Sequence, residues 1–144
     1  MNDGILVRAP VGAVYRTLTD LDGWPNWLAG ARSVRLPADD RDGDRHVLVL
    51  PDGRGRWRLA VRAHGWRHDA GVRWCVRGAV VLDAEWWLED LPDGTVVHHV
   101  VHGSPAGGRA VRRVQRHRRV IVHALQALKD HLELAVDLAT GRSS

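Results

Sequence analysis

One cysteine, one lysine, one tyrosine and no phenylalanine occur in a chain of 144 residues. Cys75 by itself can form no disulfide within the chain, and it cannot assemble a two-thiolate or four-thiolate zinc site. Disulfide-stapled scaffolds are therefore excluded, and a reducing, cytoplasmic setting is expected. No basic start followed by an apolar run opens the chain, and no later run has the length that crosses a bilayer, so neither a leader nor a membrane association is expected. Phosphate-cradling glycine loops, dinucleotide fingerprints and nucleophile elbows are also missing; Ser104 sits in a Gly-Ser-Pro turn without such a pattern. Kinase, dehydrogenase and serine-hydrolase chemistry fall with them. His64 with His68, and His98 with His102, come without a carboxylate or thiolate at metal spacing. Neither a metal nor any other cofactor is expected.

What the chain has in quantity is arginine and tryptophan. Lys129 is the sole lysine, and the net charge of +4 is too modest to argue for nucleic acid. A dense basic stretch (Arg109, Arg112, Arg113, Arg116, Arg118, Arg119) admits phosphates, anionic lipid or an acidic carrier protein, but a solvated face paired with the carboxylates of residues 39–44 accounts for it more simply. Seven tryptophans each bring an indole N–H that needs a partner when buried, which suits a wall that is apolar yet orienting.

Periodicity orders the elements. Residues 5–8 read as a strand, and Val11, Val14, Tyr15 and Leu18 then recur at helical spacing. Asp20 to Gly23 breaks that helix, and Trp24-Pro25 opens a second short turn over 24–28. From residue 31 the period becomes two, with strands at 31–36, 46–50, 56–64, 72–77, 81–88 and 96–102, separated by breakers at 37–44, 51–53, 65–71, 78 and 91–94. Short connections make these an antiparallel meander. One long helix follows Gly108, with an inward stripe of Val111, Val114, Arg118, Ile121, Leu125, Leu128, Leu132 and Ala135. Residues 1–140 therefore form one α+β domain, and 141–144 a flexible tail.

Strand parity sorts candidate site residues. Trp57, Leu59, Val61 and Ala63 oppose arginines and His64; Trp74 and Val76 oppose Arg73 and Arg77; Trp86 opposes Glu85 and Trp87. Trp57, Trp74 and Trp86 thus face inward, either as ordinary core or as ligand wall. Both faces of 96–102 are half apolar, so its inward set stays open on pattern alone.

The order of strand, two short helices, meander and long helix resembles the START-like, helix-grip (SRPBCC) superfamily. Val7-Arg8-Ala9-Pro10-Val11-Gly12-Ala13-Val14-Tyr15 resembles its opening, and Asp20-Leu21-Asp22-Gly23-Trp24-Pro25-Asn26-Trp27-Leu28 is similar to its Asp-x-x-x-Trp-Pro-x-Trp-Leu phrase. Glu85-Trp86-Trp87-Leu88-Glu89 with Gly94-Thr95 is similar to its penultimate hairpin. Within the superfamily the polyketide cyclase and dehydrase group is most alike. The resemblance implies a curved sheet of about seven strands around the C-terminal helix, with an internal cavity for a hydrophobic molecule. It implies cofactor-independent ring closure or dehydration of a polyketide-like chain, a carrier role or a protein-interaction role as alternatives, an acyl carrier protein as delivery partner, and an oligomeric state that leaves a homodimer open.

That resemblance favours Val97, His99 and Val101 inward. His99 then shuttles a proton or is a satisfied core histidine, and Arg118 anchors a carbonyl or enolate or snorkels to water. A rotated helix would instead turn His117 inward. The remaining expected ligand contacts are Trp27, Leu59, Val76, Val114 and Ile121, beside the three tryptophans.

Overall fold

The computed structural model describes residues 2–39, 43–103 and 107–141. β1 (Asn2–Val7) enters α1 (Val11–Thr19), and a short 3-10 helix follows at Leu21–Asn26. β2 (Arg32–Asp39), β3 (Gly43–Asp52), β4 (Gly55–Arg67), β5 (Gly71–Gly78), β6 (Leu82–Leu91) and β7 (Gly94–His102) lead to α2 (Gly107–Thr140). All strands form one curved antiparallel sheet in the order β1-β7-β6-β5-β4-β3-β2. Successive hairpins build it from β2 to β7, and β1 returns to pair with β7.

The strands outrun their sequence limits because several breakers are absorbed into the ladders. Gly65 takes φ +60°, and the register between β4 and β5 shifts between His64 and Arg67. A bulge of this kind lets one strand continue where the alternation pattern stops. Gly94 is demanded by contact as well as conformation: at φ 151°, an added Cβ would lie 2.4 Å from the Val7 carbonyl oxygen. The β6–β7 turn therefore seats directly on the end of β1. Thr95 Oγ1, itself buried, donates to the Ala9 carbonyl at 2.9 Å and secures the junction.

The 3-10 helix begins at Leu21, where a breaker was expected, and its three-residue period puts Leu21 and Trp24 on one face. Trp24 is consequently fully buried, and its Nε1 donates to the Leu18 carbonyl at 3.0 Å. Trp27 is the less buried member of the pair, the reverse of the order read from sequence. Trp24 meets Trp74 and Trp86 with ring centroids 5.4 and 6.2 Å away, and those two are 5.2 Å apart. Three mutually tilted indoles thus fill the space between the short helices and the sheet.

α2 buries Val114, His117, Val120, Ile121, Ala124, Leu125, Leu128 and Leu132. Of the expected stripe, Val114, Ile121, Leu125, Leu128 and Leu132 are buried, whereas Val111 and Ala135 toward the helix ends are exposed. Arg118 is a correction: it points outward, half exposed, and its guanidinium pairs with Asp3 of β1 at 3.0 Å. A neutral imidazole is far cheaper to desolvate than a guanidinium, so the helix turns His117 inward in its place. Farther along, Lys129 Nζ donates to the Leu6 carbonyl at 2.9 Å, a second tie between α2 and β1. On the outer face Glu85 receives Arg67 at 2.9 Å and Arg73 at 3.3 Å, and such exposed pairs add little stability. The expected pairing of the basic helix with carboxylates of 39–44, the turn at Ser104 and the tail at 142–144 lie outside the described residues or side chains.

Candidate functional site

Two histidines from different elements meet beneath α2. His99 is an inward residue of β7, between Val97 and Val101 on the same face, and His117 is one helical turn beyond Val114 on α2. Their ring centroids are 6.0 Å apart, and both side chains are almost wholly buried. Trp86 lies against His99 at 4.4 Å.

Trp57 determines the protonation pattern of His117. Its Nε1–H donates to His117 Nδ1 at 2.9 Å, so the neutral ring must carry its own proton on Nε2. That Nε2–H is buried and has no hydrogen-bond partner, and the same holds for His99 Nε2 and Trp86 Nε1. Buried polar atoms in this condition ask for a ligand or a water. Trp57 is itself held from the other side: the Arg116 guanidinium lies 4.8 Å over its ring and pairs with Asp52. A chain of contacts from Asp52 through Arg116 and Trp57 thereby orients His117.

Burial lowers the pKa of His99 to about 3, with the neighbouring His117 adding to the effect, and burial lowers His117 to about 4. Both rings are neutral at pH 7. Such a pair supplies one fixed N–H donor at His117 and one imidazole at His99 that can donate or accept, which suits polarising a carbonyl more than forceful proton abstraction.

The sign of the pH dependence follows. In the unfolded chain both rings titrate near 6.5. Below that value the unfolded state takes up protons that the folded state refuses, so stability is complete above pH 6.5 and is lost as the pH falls toward 4. The expected loss is on the order of 3 kcal/mol for each ring by about pH 4. Urea midpoints measured at neutral and acidic pH, in wild type and in a His99→Gln/His117→Gln double variant, check this: the variant should show the shallower decline, and equal declines would mean that the rings are not held neutral.

Two open hollows flank the first turns of α2. One, of about 510 Å³, is largely apolar and is lined by Val80, Val81, Leu82, Val101 and Val114 together with Arg109 and Arg113. The other, of about 1060 Å³, runs between the same turns and the β4–β5 region and includes Trp57. Of the residues expected to contact a ligand, Trp57 and Val114 line these hollows. Trp74, Trp86, Leu59, Val76 and Ile121 lie in the packed core, and Trp27 borders a smaller recess near α1 and His131. Trp74 and Trp86 pack against Trp24, and both hollows described above open at the α2 end. Sequence reasoning did not anticipate the Trp57–His117 bond, because its partners are sixty positions apart. The one available signal was the odd placement of Arg118 in an otherwise apolar stripe.

Comparison with known proteins places this geometry. The family model for polyketide cyclase / dehydrase and lipid transport matches residues 3–133. The chain belongs to that family. Among solved structures, a START superfamily protein from Mycobacterium smegmatis is similar over 94% of this chain and 97% of its own, with 14% identity and a TM-score of 0.71. The di-domain ARO/CYC StfQ of the steffimycin biosynthetic pathway is similar over 94% of this chain and 51% of its own, at 15% identity and a TM-score of 0.68. The Aha1 dimer of Colwellia psychrerythraea matches over 92% of this chain and 95% of its own, at 18% identity and a TM-score of 0.62. No curated protein matches the chain in sequence. The shared START-like fold is what these likenesses establish.

Proposed function

We propose that this protein binds a hydrophobic, carbonyl-bearing molecule at the α2 end of the sheet and promotes ring closure or dehydration of a polyketide-like chain without a cofactor. The observation that carries the reading is the neutral pair His99 of β7 and His117 of α2, each with a buried, unpartnered Nε2; His117 follows by one helical turn the Val114 that lines the apolar hollow. A ligand passing Val114 would meet the His117 N–H first. Hydrogen bonding there stabilises a developing enolate more than the neutral carbonyl; His99 takes the α-proton as the enolate forms and hands it to the alkoxide left by the new carbon–carbon bond. Burial of the reacting segment supplies the rest by holding its carbons in one arrangement. Delivery by an acyl carrier protein and a cytoplasmic setting belong to the same reading, and the ARO/CYC name of StfQ supports it.

One observation favours a second reading, a non-catalytic carrier of a lipid or aromatic metabolite: imidazoles with pKa values of about 3 and 4 are poor bases at neutral pH. Binding is common to both, and it is tested first. The purified protein is incubated with hydrophobic extracts, repurified and examined by native mass spectrometry, with tryptophan emission recorded on rebinding. A carbonyl-bearing apolar compound bound one to one is the expected result. Failure to retain any apolar compound would sink both readings.

A further inference from the structure

The larger hollow is an arginine groove. Arg56 and Arg58 of β4 face Arg109, Arg112, Arg113 and Arg116 of α2 across about 1060 Å³. Arg116 is neutralised by Asp52. Among the described residues the other five guanidiniums have no carboxylate partner, so like charges crowd one concave surface and raise its positive potential. Guanidinium groups in that setting match the tetrahedral oxygens of phosphate, which they bind through paired N–H donors.

Arg109 and Arg113 line both hollows. They form the ridge between the arginine groove and the apolar hollow of Val80, Leu82, Val101 and Val114. We infer that the ligand of this site is an amphiphile, with an apolar body seated in that hollow and a phosphate held by Arg109 and Arg113 at the edge of the groove. A neutral ligand would bring no counter-charge to the five guanidiniums, which are unpaired among the described residues, and a bare phosphate would leave the apolar hollow unused. The inference rests on the reading of the apolar hollow as the ligand's entrance.

Decyl phosphate and 1-decanol separate the two claims, because they share the apolar body and differ only in the head. Both are titrated into the full chain below the micelle concentration, with binding followed by calorimetry and tryptophan emission. Decyl phosphate should bind about tenfold to a hundredfold more tightly than decanol, as two charge-assisted contacts allow. The advantage should shrink when salt is raised from about 0.05 to 0.5 M. It should disappear in an Arg109→Gln/Arg113→Gln variant, where the ratio of the decyl phosphate and decanol affinities is the quantity read. Equal affinities for the two probes in wild type, or an advantage that survives the double variant, would overturn the phosphate assignment while leaving the apolar entrance intact. If neither probe binds, the entrance itself is misread and the inference falls with it. Phosphatidylcholine vesicles carrying phosphatidic acid identify the source of the phosphate. Binding to them as tight as to dispersed decyl phosphate would overturn an individually bound ligand in favour of a membrane surface.

Discussion

A His99→Gln protein should bind a poly-β-carbonyl chain within about tenfold of wild type and yet close its ring about a hundredfold more slowly. Glutamine keeps a donor and an acceptor but cannot exchange a proton near neutrality, so the loss isolates proton transfer from shape. His117→Phe removes the N–H that Trp57 orients and should depress turnover by about a hundredfold as well. This second variant also leaves the buried Trp57 N–H without its acceptor, which costs about 1–3 kcal/mol of stability. Its turnover is therefore measured on protein whose folding has been verified by circular dichroism. Arg118→Gln serves as the reference: with its side chain outside and paired to Asp3, both rate and binding should stay near wild type. Product ratios belong in the same assay. Wild-type rates and unchanged products in both histidine variants would reduce the site to a mould or a carrier.

The second large effect is structural. Trp24→Ala should lower stability by about 3–5 kcal/mol, the range for deleting a buried aromatic. Trp24 is in contact with Trp74 and Trp86, and its indole bonds the Leu18 carbonyl, so removal opens a void and unpairs a buried acceptor together. Trp27→Ala should cost less, because its ring is only partly buried at the edge of the core. Urea denaturation of the two variants checks the order. A Trp24→Ala midpoint equal to or above that of Trp27→Ala would show that the three-indole cluster does not anchor the short helices to the sheet.

Much of the fold was legible because two periods, near 2 and near 3.6, are written cleanly along the chain. Alternation alone placed Trp57, Trp74 and Trp86 inside, and the arginines opposite them outside. Where local pattern and solvation disagreed, solvation decided. Arg118 fits the apolar stripe by spacing, yet the cost of burying its charge shifts the inward position to His117. Trp24 and Trp27 look equivalent in the phrase Trp24-Pro25-Asn26-Trp27, and what separates them is the end of the 3-10 helix at Asn26, which leaves Trp27 outside it. The candidate site was harder still. His99 was visible as one member of an ambiguous strand, whereas its meeting with His117 and the bond from Trp57 depend on contacts between β4, β7 and α2 that no local window contains.

The ties between α2 and β1 bear on when the site comes into being. Arg118 reaches Asp3 across 115 positions and Lys129 reaches Leu6 across 123. Closing loops of that length loses chain entropy before any contact compensates it, so pairings this distant form late on the folding path. The hairpins from β2 to β7 have no such requirement and can assemble first. On this ground the expected order during synthesis is sheet before helix, with His99 open to solvent until α2 packs. The helix that brings His117 is also what dehydrates His99, so neither imidazole has its depressed basicity until the chain is nearly complete.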